Sequence, residues 1–287
     1  MRAPPFAYAR ADSLDDALML LAEAGDEAKL LAGGQSLLPL LAFRVVRPTH
    51  LVDIDALGTL AGIQQVSDGL RIGALTRHDT LARADLTGGE RLLAVAASHV
   101  GHVPIRMRGT IGGSVAHADP SAELPAALLA LDAHVLVRSA TGERTIRAAE
   151  MFVGPFTTAL ASDEVLVAVI VPTVARSCRH GFGEFAVRSG DFALASVAVV
   201  VSVDGGNVDR ARIVLGGVDA TPIRATGAEA VLTGSELMDE VIAEAAATAA
   251  AECDPAEDAT TTAAYRRRLV ARLVRDALAQ ARDKGSG

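Results

Sequence analysis

Two cysteines in 287 residues, Cys178 and Cys253, stand far apart in unrelated contexts. That excludes a disulfide framework, a cysteine-rich zinc site and an iron–sulfur cluster held by this chain alone. Tryptophan is missing, and two tyrosines and seven phenylalanines are too few rings for a nucleic-acid stacking platform. Cations are the minority: 27 Lys and Arg against 35 Asp and Glu leave a net charge of −8. Nonspecific nucleic-acid binding needs clustered cations to neutralise phosphates, so no nucleic-acid partner is expected. Half the residues are apolar, largely through alanine and valine, yet no uninterrupted apolar run reaches the roughly 18 residues of a membrane span. The N-terminus, MRAPPFAYARADS, has no apolar core of a secretory signal, and a cytoplasmic location is the expectation. What remains is ordinary globular composition, with material for two domains or one large one.

The apolar spacing predicts a helix over 13–24, with Leu14, Ala17, Leu18 and Leu21 on one face, Ser13 as N-cap and Gly25 beyond the end. A short buried strand, 29–32, runs into Gly33-Gly34; a helical or irregular crossover, 37–46, leads to a strand at 50–54. Two short strands between 62 and 75 flank a Ser67-Asp68-Gly69 turn. Helices follow near 77–84, 90–100 and 122–131, then a hairpin of 133–138 with 143–146, and a strand at 165–171. After about residue 176 the pattern changes to three strands (181–187, 196–203, 210–216) and then three helices (224–232, 235–252, 261–281). Strands followed by helices suggest a separate α+β domain, with a boundary near 175, around Pro172–Arg176. Only Lys284–Gly287 look frayed.

Two glycine motifs carry the chemistry. In the first, a buried strand delivers Gly33 and Gly34, followed by Gln35 and the hydroxyl of Ser36. Glycines admit sharp turns and close backbone approach, and a nest of N–H groups suits a pyrophosphate. Alone, the motif reads first as a plain strand-end turn, and it is neither GxGxxG nor a Walker A loop. The second, Thr110-Ile111-Gly112-Gly113-Ser114, repeats the design about 75 residues later. Two such loops can close on one diphosphate from both sides without a basic patch, which suits an acidic protein.

The run Lys29–Leu37 (KLLAGGQSL) and the run Ile105–Pro120 (IRMRGTIGGSVAHADP) closely resemble the two FAD signatures of the medium subunits of molybdenum hydroxylases, the xanthine dehydrogenase and carbon monoxide dehydrogenase family. Further similarities are Glu123–Asp132, Phe152–Pro155, Ser189–Ala193 and Tyr265–Leu269, so the resemblance covers essentially the whole chain. It implies an α+β protein: a two-part FAD-binding domain of the vanillyl-alcohol-oxidase (PCMH) type over 1–175, its subdomains split near 57, then a small α+β C-terminal domain over 176–287. It implies noncovalent FAD, with Lys29, Leu30, Leu31, Ala32, Gly33, Gly34, Gln35, Ser36, Thr110, Ile111, Gly112, Gly113 and Ser114 around the pyrophosphate and neighbouring parts. Glu123 stands where relatives usually carry a cofactor-contacting aspartate, and Leu166 matches a backbone contact with the flavin. Two positions depart from the pattern. Glu184 falls where some relatives place a cofactor-binding lysine. Val100 falls where xanthine dehydrogenases place an aromatic against the flavin, and Phe192 is the alternative ring.

The resemblance further implies partners: a large molybdopterin-binding subunit and a small [2Fe-2S] subunit, as a dimer of heterotrimers. This chain would pass electrons from the clusters to an external acceptor, while the substrate is chosen by the large subunit. The competing reading is a self-contained FAD oxidoreductase acting directly on a small substrate; a noncatalytic nucleotide-binding scaffold is a third. No catalytic side chain is assigned. His117 either approaches the flavin edge or makes a structural bond in its loop. His99 and His102, three apart, lack a third metal ligand at a plausible spacing and read as solvated or capping. Arg106 and Arg108 either position a phosphate or belong to a solvated loop. Arg266–Arg268, Arg272 and Arg275 read as the wet face of an amphipathic helix, because Leu269, Leu273 and Ala277 recur on the other.

Overall fold

The computed structural model describes residues 3–175, 177–259 and 261–283, so Arg176 of the expected boundary and the tail Lys284–Gly287 lie outside the described residues. The chain opens with β1 (Ala7–Arg10), α1 (Leu14–Ala24), β2 (Ala28–Leu31), α2 (Leu37–Ala42) and β3 (His50–Asp53). Ser13 accepts the Asp16 amide at 3.0 Å and starts α1, whose Ala17, Leu18 and Leu21 are buried. The strands form a parallel sheet in the order β1-β3-β2. β1 has no sequence signal: its residues are mostly exposed and lack the apolar alternation that marks a half-buried strand.

The second region holds β4 (Ile63–Val66), β5 (Gly69–Gly73), α3 (His78–Ala82), α4 (Arg91–His99), α5 (Val103–Arg106), α6 (Ile111–His117) and α7 (Glu123–Ala130). It continues through β6 (His134–Ser139), β7 (Gly142–Arg147), α8 (Ala148–Met151), β8 (Phe152–Gly154), β9 (Thr157–Thr158) and β10 (Val165–Pro172). Five strands make an antiparallel sheet, β4-β5-β10-β6-β7. Central β10 serves two cores. Val165 and Val167 join Leu18, Leu21, Val52 and Ile54 of the first region; Leu166, Val169 and Val171 face Leu92, Leu124 and Leu128. A bulge between Leu166 and Ala168 flips the alternation, so an even and two odd positions share one core. Burial on both faces explains the unbroken apolar run.

The last region comprises β11 (Arg179–Phe185), β12 (Ala195–Asp204), β13 (Asn207–Gly216), β14 (Ile223–Arg224), α9 (Thr226–Leu232), α10 (Asp239–Glu252) and α11 (Ala263–Asp283). The antiparallel sheet β11-β12-β13-β14 is covered on both faces. Val197, Val199, Val201, Ile213 and Leu215 share a core with α9 and α11, which lie on the sheet, and with α10, which packs on those helices, while Phe182, Ala198 and Val214 join the core of the second region. Helix α7, buried from Glu123 to Ala130, packs against β12 and β13. A Cβ on Gly181 would lie 1.9 Å from the Ala277 carbonyl oxygen, so glycine is what lets α11 lie against β11.

Helix α11 corrects the reading of its arginines. Arg272 is exposed, but the Arg266 side chain is only 12% exposed and donates to the carbonyls of Leu194 and Gly217, both at 2.9 Å. Arg267 donates to the Cys253 carbonyl at 3.3 Å. Arg266 ties α11 to neighbouring loops instead of facing water, while Arg267, its side chain 41% exposed, reaches a loop carbonyl from the wet face. Among the described residues, no helix is long and apolar enough to cross a membrane.

Candidate functional site

The first glycine motif leaves β2 held at its end by the Ile54 amide, which donates to the Leu31 carbonyl at 3.0 Å. Gly33 is buried because a neighbour presses on it: a Cβ there would sit 2.1 Å from the Arg108 carbonyl oxygen. Gly34 turns the chain at φ +74°, the left-handed region that favours glycine. The Gln35 amide side chain donates back to the Gly33 carbonyl at 2.9 Å. Among the described residues, the backbone N–H groups of Gly33, Gly34, Gln35 and Ser36 meet no protein acceptor, and Ser36 makes no capping bond to α2. Lys29 is exposed on β2, while Leu30 and Ala32 pack on the first core.

The second motif is not a loop but the first turn of α6. Thr110 is its N-cap, with Oγ1 accepting the Gly113 amide at 3.1 Å. The amides of Ile111, Gly112 and Ser114 donate to the carbonyls of Thr76, Ala74 and Thr110 at 3.0, 2.8 and 3.0 Å. The symmetric cradle expected from the repeated glycines is therefore asymmetric. The first motif presents open amides, whereas the second commits its own and offers the Ser114 hydroxyl. Gly112 is required by packing, since a Cβ would come 2.7 Å from that of Ala74. At the far end of α6, His117 lies against Phe156, ring centroids 5.2 Å apart, and burial lowers its pKa.

A network with no sequence motif joins the two. Asp55 pairs with Arg77 at 2.8 Å and Arg108 at 3.3 Å. Arg77 also donates to the Arg108 carbonyl at 2.5 Å, the oxygen that overlies Gly33. The His78 amide donates to the Gly109 carbonyl at 3.0 Å. The His78 ring is buried beneath Gly109. Burial, followed by the charges of Arg106 and Arg77, lowers its pKa to about 4 and keeps it neutral.

A third group of residues gathers where α4 meets the last region. Val100 is the half-buried C-cap of α4, and Arg106 donates to the carbonyls of Val100 and Gly101 at 3.1 and 2.7 Å. His99 Nδ1 lies 3.2 Å from Glu184 on β11, an ion pair across two regions that raises the imidazole pKa through this bond. Glu123, the first residue of α7, is 6% exposed. Burial pushes its pKa up to about 7, and the charge of Glu184 adds to the rise. Leu166 is buried beside the β10 bulge, whereas Phe192 is 64% exposed on the loop after β11. A cavity of about 390 Å³ opens here, lined among others by His99, His102, Arg106, Glu184 and Arg188.

The family model described as the FAD binding domain in molybdopterin dehydrogenase matches residues 4–174, and that of the CO dehydrogenase flavoprotein C-terminal domain matches 180–281. The chain belongs to the FAD-binding medium subunits of molybdenum hydroxylases. It is 44% identical over 283 residues to the 6-hydroxypseudooxynicotine dehydrogenase complex subunit alpha of Paenarthrobacter nicotinovorans, covering 98% of this chain and 96% of that protein. It is 36% identical to the carbon monoxide dehydrogenase medium chain of Hydrogenophaga pseudoflava, covering 96% of each. The structure of reconstituted CO dehydrogenase from Oligotropha carboxidovorans superposes with a TM-score of 0.95 at 33% identity, over 99% of both chains.

As a member of this flavoprotein family the chain binds FAD, and the first motif fits that group. It offers four backbone donors that meet no acceptor among the described residues, the arrangement a pyrophosphate needs. The sequence reading missed Asp55, Arg77 and Phe156 because their roles depend on partners distant in the chain. It read His99 as solvated or capping, and its Glu184 partner lies 85 positions further on.

Proposed function

We propose that this flavoprotein subunit carries electrons from iron–sulfur clusters to an external acceptor such as a quinone, a carrier or NAD. The match of both regions to the family, in order and over nearly the whole chain, supports this reading. Bound FAD supplies the exchange between one-electron and two-electron carriers. The chain itself binds and orients the cofactor. Gly33, Gly34, Gln35 and Ser36 donate to the pyrophosphate, with Thr110–Ser114 as the facing wall. Lys29–Ala32 form the approach to it, Val100, Leu166 and Phe192 border the flavin, and Glu123 and His117 lie towards its polar edge.

The partners in this proposal are a large molybdopterin-binding subunit, where substrate is oxidised, and a small subunit with two [2Fe-2S] clusters. They assemble as a dimer of heterotrimers in the cytoplasm. Two cysteines, one half-buried and one buried, cannot supply the ligands of those clusters. The test is anaerobic: candidate substrates are added to the isolated FAD-loaded chain and to the assembled complex while flavin absorbance is followed. Bleaching in the complex alone is the expected result. Rapid bleaching of the isolated chain would instead establish a self-contained oxidoreductase.

A further inference from the structure

Gly109 stands between the two glycine motifs and is a glycine for lack of space, not for its torsion angles. Its φ is outside the left-handed region, yet a Cβ there would lie 2.6 Å from Cδ2 and 2.9 Å from Nε2 of the His78 ring. Gly109 is pressed by the first motif as well. A Cβ on Gly33 would lie 2.9 Å from the Gly109 Cα, beside the Arg108 carbonyl. Three layers are therefore in successive contact: the His78 ring, the Arg108–Gly109 backbone, and Gly33, where the open amides begin.

The backbone around this stack is fixed. The His78 amide donates to the Gly109 carbonyl at 3.0 Å, and the amides of Ile111 and Gly112 donate to the carbonyls of Thr76 and Ala74. Arg77 forms an antiparallel bridge with Thr110, and its guanidinium donates to the Arg108 carbonyl. Residues 74–78 thus carry residues 108–112, with the His78 ring filling the space beneath Gly109. The ring is 4% exposed, and its Nδ1 is buried with no hydrogen-bond partner. A buried nitrogen left unbonded is unfavourable, so what the ring supplies here is bulk. In a close-packed interior, bulk under a backbone segment sets where that segment sits.

We propose that His78 is a positioning residue for FAD: its ring, acting through the Arg108–Gly109 backbone, sets how far the second motif stands from Gly33 and so the width of the gap that receives the pyrophosphate. The inference rests on the placement of the pyrophosphate at the amides of Gly33–Ser36 given above. His78 acts through Gly109 and makes no contact with the cofactor itself. Changing the thickness of this layer alters the phosphate end of the site and leaves the flavin end as it is.

The experiment strips FAD from the full chain, titrates FAD back at a temperature where every variant is folded, and records phosphorus NMR of the bound cofactor. His78→Ala should weaken FAD binding by about tenfold, and Gly109→Ala, which drives a methyl group against the ring, by at least as much. In the double variant that methyl group enters the space the ring has left, so the combined loss should be smaller than the product of the two single losses. The phosphorus resonances of bound FAD should shift in His78→Ala while the visible flavin spectrum stays as in wild type. If Gly109→Ala alone does not fold, recovery of a folded, FAD-binding chain in the double variant reads the same coupling. His78→Leu, branched where the ring is flat, takes the place of His78→Ala if that variant does not fold, and should also weaken binding. Wild-type affinity in either His78 variant overturns the proposal, as do single losses that simply multiply in the double variant. A changed flavin spectrum with unmoved phosphorus resonances overturns it too. Failure of wild type to bind FAD would instead overturn the cofactor assignment on which the inference rests.

Discussion

Gly33 is required by a neighbouring backbone, not by its own torsion angles: the Arg108 carbonyl occupies the space a side chain would need. Gly34 is the reverse, with φ at +74° and only flexible leucine side chains, Leu38 foremost, close by. Substitutions should therefore separate the two. Gly33→Ala forces the glycine motifs apart, destabilising by about 1–3 kcal/mol as overpacking does, and should purify with little flavin. Gly34→Ala incurs the left-handed penalty of about 1–2 kcal/mol, Leu38 swings aside, and flavin content should fall less. The ratio of flavin to protein absorbance, with a thermal midpoint for each variant, checks the order. Equal flavin content in Gly33→Ala and wild type would mean that the apposition of the motifs is irrelevant to the cofactor. The paired glycines are legible in sequence; which of them is held by space and which by torsion is not, because Arg108 is distant in the chain.

Elements with one buried stripe are easily read from sequence. Helix α11 follows its spacing, with Val270, Leu273, Val274, Ala277, Leu278 and Ala281 buried. Leu278→Ala should cost about 2–5 kcal/mol through lost burial and the cavity left behind. Arg272→Ala, on the exposed face, should stay within about 0.5 kcal/mol; urea unfolding distinguishes them. Elements are harder to read where a contact lies outside the local pattern. β1 pairs through its backbone with β3 and shows no apolar alternation. The second glycine motif reads as a loop, but Thr110 caps it into a helix whose amides reach Ala74 and Thr76. Arg266 is charged and helical, and so reads as wet until the Leu194 and Gly217 carbonyls are found against it.

Across the whole molecule, buried titratable groups set opposing slopes of stability with pH. Glu123 has a folded pKa of about 7, above its unfolded value, so the native state holds its proton longer and stability falls as pH rises through that range. His99 is also raised; its contribution is complete below its unfolded pKa and is lost as pH climbs past the folded one. His78, lowered to about 4, acts oppositely: the unfolded chain takes its proton first, and stability drops as pH falls from about 6.5 towards 4. His117, lowered as well, acts in the same sense as His78. The flavin-free chain should therefore show its highest thermal midpoint at mildly acidic pH, about 6–6.5, between these limbs. Glu123→Gln should steepen the acid limb between about pH 4.5 and 6.5, where Glu123 offsets the histidines, and flatten the alkaline limb up to about pH 7. A midpoint rising steadily from pH 6 to 8 in wild type would contradict the buried placement of Glu123.

By itself the sequence determined the α+β class, the longer helices and strands, the two glycine motifs and the family they mark. Each of these is a local pattern: a periodicity, a cap or a short run whose meaning is complete within a few helical turns. Tertiary structure alone decided that the first motif keeps its amides open while the second commits them. It also decided that Asp55, Arg77 and Arg108 hold the two together, and that His99 meets Glu184 across a contact between regions. Those outcomes depend on carbonyls and charges that chain folding brings within 2.5–3.3 Å from far along the sequence. Hydrogen bonds and ion pairs of that range leave no periodic trace in the residues that make them.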